Sequence, residues 1–215
     1  MSNSTALLGR PRDPAIDRRI NEAALSVYAA QGWQAMTMDA IAKDAGVGKS
    51  ALYRRWPNKG KLLIDAMLTL EVIQDVDTGN LREDLLILAR QFADMYFGPT
   101  SMTYLRFQVE ARLIPELQEV GEDYVRRQVL AGRSIIRRAI ARGELPVETS
   151  PTVPMAMLYG AIMTHSFSYP QQLDERVRRN LPLFLEDLVD SVIAGANRSR
   201  HQGDDGSKLA PGSQL

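Results

Sequence analysis

The sequence contains no cysteine. That excludes disulfides, thiol catalysis and thiolate metal sites, and it fits a reducing compartment. Histidine is nearly as scarce: of the two, His165 lies in an apolar helical stretch and His201 in a polar tail. There is no G-x-S-x-G, no H-E-x-x-H and no EF-hand loop, so the chain shows no nucleophile with its base and no metal set. It reads as a non-enzyme that needs no cofactor or metal. No apolar run approaches the roughly 20 residues of a membrane span, and the start MSNSTALLGR lacks a basic-then-apolar secretory pattern. The expected setting is soluble and cytoplasmic. No convincing strand and no internal repeat appears, which leaves an all-α chain.

An excess of charge of one sign is also missing, since 26 Lys and Arg face 26 Asp and Glu. The balance is uneven along the chain. Residues 1–61 hold ten basic against five acidic side chains and the remainder 16 against 21, a basic end on a mildly acidic body. Such asymmetry points to a nucleic-acid-facing end.

Within that basic end, residues 37–59 (TMDAIAKDAGVGKSALYRRWPNK) place two short helical patterns around a Gly-containing turn too short to be a linker. Thr37 suits an N-cap and Asp39 the first turn of the first helix, with Ile41, Ala42 and Ala45 forming a small apolar face. Gly46 falls where a residue after the helix end needs positive φ, and Val47 plugs the angle between the helices. The second helix, from Lys49 to about Arg55, buries Leu52 and Trp56. It leaves Lys49, Ser50, Tyr53 and Arg54 outward, groups suited to phosphates and base edges. Gly48-Lys49-Ser50 imitates the end of a P-loop, but the required earlier glycine is Lys43. The G-x-G-x-x-A reading fails because a helical pattern, not a strand, precedes it.

Thr37, Ile41-Ala42, Ala45-Gly46-Val47, Lys49, Leu52-Tyr53, Trp56-Pro57 and Lys59 together resemble the DNA-binding signature of the tetracycline-repressor (TetR) family of bacterial transcription regulators. Two positions depart from the usual pattern: Gly48 stands where the family has Ser at the helix cap, and Ala51 where it has Thr. The resemblance implies that Thr37, Lys49, Tyr53 and Lys59 hold the DNA backbone and that Ser50 and Arg54 reach base edges. It further implies a homodimer on a palindromic operator and a small-molecule pocket in the helical body.

Residues 1–12 form a basic arm expected to be disordered, ending in Gly9-Arg10-Pro11-Arg12. Arg10 held extended beside proline can enter an A·T-rich minor groove; alternatively the arm adds only non-specific attraction. Asp13 and Pro14 start a helix that runs to about Gln31 and stops at Gly32, completing a three-helix head over residues 13–57. Asn58 caps a fourth helix, reaching to about Gln74, that leads into a larger domain over residues 58–194. An Asn80-Leu81-Arg82-Glu83 box opens the fifth helix, which Gly98-Pro99 ends. Two further helices span residues 102–112 and 117–142, with Gly121 expected to split or bend the second. Residues 151–168 are apolar all round, as in a helix buried on every side. The final helix, residues 174–193, contains Pro182, which predicts a kink near Asn180. Residues 195–215 read as a disordered tail.

Met and aromatic residues accumulate over this body. Each alone reads as core. With the resemblance, Met67, Phe92, Met95, Tyr96, Phe107, Tyr159 and Met163 become lining for an apolar or aromatic effector, and Arg106 or Arg112 a partner for an acidic group on it. The small residues Ala156, Gly160 and Thr164 recur every fourth position, and Phe184, Leu188 and Val192 line one side of the last helix. The resemblance implies a four-helix dimer interface from these two helices and their symmetry mates. The expected function is a ligand-responsive regulator, a repressor released from its operator by a small molecule; the alternative is a DNA-binding protein of the same fold whose body takes a protein partner or no ligand.

Overall fold

The computed structural model describes residues 13–70, 73–168 and 175–198. The basic arm with Arg10, the tail from residue 199 and His201 lie outside them. The described residues form helices and connections with no strand: α1 (Pro14–Ala35), α2 (Met38–Asp44), α3 (Lys49–Tyr53), α4 (Lys59–Met67), α5 (Leu81–Phe97), α6 (Ser101–Glu110), α7 (Pro115–Ala141), α8 (Thr152–Phe167) and α9 (Glu175–Arg198). Contacts divide the chain into two compact units, meeting between Leu70 and Glu71.

In the first unit, α1 packs on α2 and α4, and α2 on α3. Asp13 caps α1, its carboxylate accepting from Ala15 N–H at 3.0 Å. Gly32 takes φ 73° and ψ 176° and ends the first helical run as the sequence suggests; a further helical turn follows to Ala35. Ile20, Ala24, Tyr28, Met36, Ile41, Leu52, Leu62 and Leu63 are wholly buried and make the core. Expected to reach Gln74, α4 instead ends at Met67. Its buried set stops there, because Leu68 is 53% exposed, and a helix without a face to bury has little to extend it.

The second unit is organised on α5, which packs against α6, α7, α8 and α9. Asn80 caps it, accepting from Glu83 N–H at 3.0 Å. Arg138 pairs with Asp75 at 2.8 Å and Arg142 with Asp77 and the wholly buried Asp84, tying the segment before α5 to the end of α7. Asp84 also accepts from Thr78 N–H at 2.6 Å and its hydroxyl at 2.8 Å.

Three expectations for this unit are corrected. First, α7 passes through Gly121 as one helix. There the glycine serves a close approach, since a Cβ would stand 2.6 Å from the Ala111 Cβ. Second, α9 continues through Pro182 and on to Arg198, beyond the expected start of the tail. Its buried Leu185, Val189, Val192 and Ala196 keep helical spacing to the end, so packing offsets the missing proline donor. Third, α8 is not buried on every side.

Candidate nucleic-acid interface and ligand cavity

The helix-turn-helix is built from its caps. Thr37 Oγ1 accepts from Ala40 N–H at 3.1 Å and starts α2. At the other end Gly46 takes φ 63°, with Val47 N–H donating to Ala42 O at 3.0 Å and Gly46 N–H to Lys43 O at 3.2 Å. This paired closure satisfies orphan carbonyls and demands a residue tolerant of positive φ. Leu52, wholly buried, and Trp56 anchor the second helix. The Trp56 indole donates to Asp65 at 2.9 Å, and Arg55 pairs with Asp17 of α1. The sequence reading passed over that second anchor.

With α3 fixed from behind, Lys49, Ser50, Tyr53 and Arg54 are all exposed. Tyr53 alone is 52% exposed, unusual for an aromatic residue with no solvent-side partner. Lys49 bonds Asp39 at 2.5 Å, and both side chains are largely in solvent. Surface pairs of that kind are worth about 0–1 kcal/mol, so the pair holds Lys49 only weakly.

Lys59 behaves differently. Its ammonium donates to Trp33 O at 2.6 Å and Met36 O at 3.1 Å and lies 4.4 Å from the centre of the Trp33 ring. It closes the carbonyl end of α1, where a cation is favoured. The family pattern placed Lys59 on the DNA backbone; here its donors are spent on the fold.

In the second unit, α5, α6, α7 and α8 border a partly open cavity of about 260 Å³, lined by Phe92, Gln108, Arg112, Val125, Gln128, Val129, Arg133, Thr152, Met155, Ala156 and Tyr159. Gly132 admits Met155 to this wall, because a Cβ would stand 2.5 Å from its methyl group. Phe92 and Tyr159, both expected to line a pocket, meet edge to face at 5.3 Å. Tyr96 and Phe107 are core, with 2% and 1% exposure. Tyr96 supports the wall from behind: its hydroxyl hydrogen-bonds that of Tyr159, and the Gln108 amide donates to both. Met95 is likewise buried, its sulfur near the Gln128 amide, while Met163 is absent from the border and Met67 is buried within the first unit.

Alongside the apolar lining, the wall carries two arginines and two glutamines. Arg112 is there as an acidic group's partner would be; Arg106 is not. Arg133 donates to Thr152 Oγ1 at 3.0 Å. Gln128 and Arg133 were passed over because α7 reads from sequence as a solvated, charge-laced helix, and Gln108 because nothing in α6 marks it. A signal was present in the Val125, Gln128, Val129 spacing, which puts these three on one face.

On α8 three faces separate. Pro154, Leu158 and Ile162 are buried, Met155 and Tyr159 meet the cavity, and Val153, Met157 and Phe167 are 57%, 42% and 64% exposed, with Thr164 exposed beside them. Ala156, expected at a dimer contact, is exposed and also borders the cavity. Around Gly160, a Cβ would meet nothing within 4 Å. On α9, Val192 is wholly buried within the protomer and is withdrawn from the expected interface; Leu183 is 62% exposed in its place. Phe184 stacks on His165 at 3.9 Å, and burial pushes the imidazole below its ordinary pKa of 6.5. Among the described residues no helix is long and apolar enough to cross a membrane, and no group of three His, Asp or Glu side chains is placed to hold a metal.

A capped helix-turn-helix on a compact helical head, followed by a larger helical unit with a partly open cavity, defines a DNA-binding regulator of transcription. Residues 20–66 match the family profile described as bacterial regulatory proteins, tetR family, and residues 75–181 that of the tetracyclin repressor-like C-terminal domain. An HTH-type transcriptional regulator of Mycobacterium tuberculosis is 30% identical over 148 residues, 66% of this chain and 73% of that protein. The DNA-binding transcriptional repressor TetR of Mycobacteroides abscessus is 29% identical over 191 residues, 79% of this chain and 87% of that protein. The protein belongs to the TetR family of transcription regulators. Solved structures share the fold: MexZ of Pseudomonas aeruginosa superposes with TM-score 0.65 at 20% identity over 84% of this chain and 96% of MexZ. FadR of Bacillus subtilis, in complex with stearoyl-CoA, gives 0.58 at 19% over 83% and 96%.

Proposed function

We propose that the protein is a cytoplasmic, homodimeric repressor whose hold on a two-fold operator is released by a small molecule in the α5–α8 cavity. The observation that carries this is the presence, in one chain, of an α3 whose polar face is exposed and a separate unit with a lined, partly open cavity. Arg54 and Ser50 read base edges in the major groove; Lys49 and Tyr53 hold phosphates, with Thr37 fixing the backbone of α2. No residue is assigned a catalytic role. The exposed stripe on α8, continued by Leu183, Phe184 and Leu188 of α9, is the surface a second copy covers, since apolar patches of this kind mark interaction sites. Relatives support the reading: one is named as a repressor, and another was solved with a bound acyl-CoA.

The test is fluorescence anisotropy on a labelled operator recovered by selection from random DNA. Nanomolar binding that a cavity ligand weakens supports the reading. Operator binding that no compound shifts, together with a co-purifying protein on the second unit, would favour a partner-controlled regulator instead.

A further inference from the structure

The cavity border combines an apolar half, Phe92, Val125, Val129 and Met155, with two arginines, Arg112 and Arg133, and among the described residues it has no carboxylate. Among the described residues neither arginine makes an ion pair; the one bond of Arg133 is to the neutral Thr152 hydroxyl. The other arginines at the ends of α7 show the contrast. Arg138 and Arg142 are each held by two or more acidic groups. Arg112 is exposed and Arg133 half-buried, and two like charges beside an apolar wall give the cavity mouth a positive potential. An anion there gains charge-assisted hydrogen bonds, which are about twice as strong as neutral ones. Volume restricts the class further. At about 260 Å³ the space lies near the lower end of the roughly 300–1,000 Å³ of sites for drug-sized molecules, which suits a small ligand.

We infer that the effector is a small organic acid, with a carboxylate held by Arg112 and Arg133 and an aromatic or branched apolar body packed on Phe92, Val125, Val129 and Met155. This rests on the reading of the cavity as an effector site, and it names the ligand's chemistry. The glutamines fit the same assignment: Gln128 offers neutral polar groups at the boundary, while Gln108 holds Tyr159 in place.

Calorimetry of the full chain with benzoate, phenylacetate, 3-phenylpropionate, 4-phenylbutyrate and 4-methylpentanoate, each against its uncharged primary amide, tests the inference. At least one acid should bind tenfold or more tightly than its amide. Arg133→Gln should weaken that acid at least tenfold and abolish the preference, Arg133→Lys should retain part of it, and Arg112→Gln should act in the same direction. Arg137→Gln, an exposed α7 position away from the cavity, should change nothing, which separates a local contact from net charge. Amides binding as well as acids, no acid binding at all, or a preference that survives Arg133→Gln would each overturn it. Operator anisotropy with the same compounds keeps the two claims apart. An acid that binds with the charge preference yet leaves operator affinity unchanged removes the effector reading and leaves the anion site standing. A neutral amide that releases operator does the reverse.

Discussion

Lys59 and Arg54 lie five positions apart and do opposite things. Lys59 is committed to the Trp33 and Met36 carbonyls, so Lys59→Ala should cost about 1.5–3 kcal/mol of stability, the usual value of a hydrogen bond to a charged group. It should leave the salt dependence of DNA binding as it was. Exposed Arg54 has the reverse profile: Arg54→Ala should melt like the parent, lose about 1–3 kcal/mol on operator and relax sequence preference at one base pair. Thermal melts and salt titrations of both variants check this. Lys59→Ala that melts normally but loses about one unit of salt slope would return Lys59 to the phosphates. His165 makes a pH prediction. Burial lowers its pKa in the fold, so as pH falls through 6.5 the unfolded chain takes up the proton first and stability declines. The loss stops once the folded imidazole also titrates, and none occurs above that range. His165→Gln should flatten the melting temperature between pH 7.5 and 5.5 relative to the parent. At this scale the sequence was informative wherever a cap or turn forces a residue type, as at Thr37, Gly46, Asn58 and Asn80. It was silent on Arg133 and Gln128, because a polar residue on a charged helix looks the same whether it faces bulk water or a cavity.

Element by element, helix starts were readable because N-caps leave a chemical mark, whereas the behaviour of Gly121 and Pro182 was not. Gly121 was expected to split or bend its helix and Pro182 to kink or restart its own, and each helix runs on past it. Continuous apolarity made α8 look buried all round, yet within the protomer one side meets the core and the other is left in solvent. Gly160→Arg tests the proposal that a second copy covers the solvent side. A Cβ there meets nothing within 4 Å, and arginine is a better helix former than glycine by somewhat under about 1 kcal/mol. Helical content and melting of the protomer should hold while the dimer dissociates. Sedimentation velocity at micromolar concentration checks this: a monomeric variant and dimeric parent are expected, and a dimeric variant would move the interface elsewhere.

For the whole molecule, the all-α class, the order of the helices and the basic head were readable before any coordinates. The contact boundary falls after Leu70, whereas the cap at Asn58 had suggested a division after Pro57; Leu62, Leu63 and Ala66 of α4 are buried in the first unit's core. If effector and operator act on one equilibrium, their coupling is reciprocal. An acid that weakens operator binding tenfold must itself bind the DNA complex tenfold more weakly, about 1.4 kcal/mol. Calorimetry with and without operator measures both sides of that cycle. The central claim is that two copies of α3 on a two-fold axis read one face of DNA, and sequence selection from a random duplex library tests it most directly. The account predicts an enriched inverted repeat with half-sites about 34–36 Å apart, and an Arg54→Ala protein that relaxes the same position in both halves. Enrichment of a single, asymmetric site, or identical sites from parent and Arg54→Ala, would contradict it.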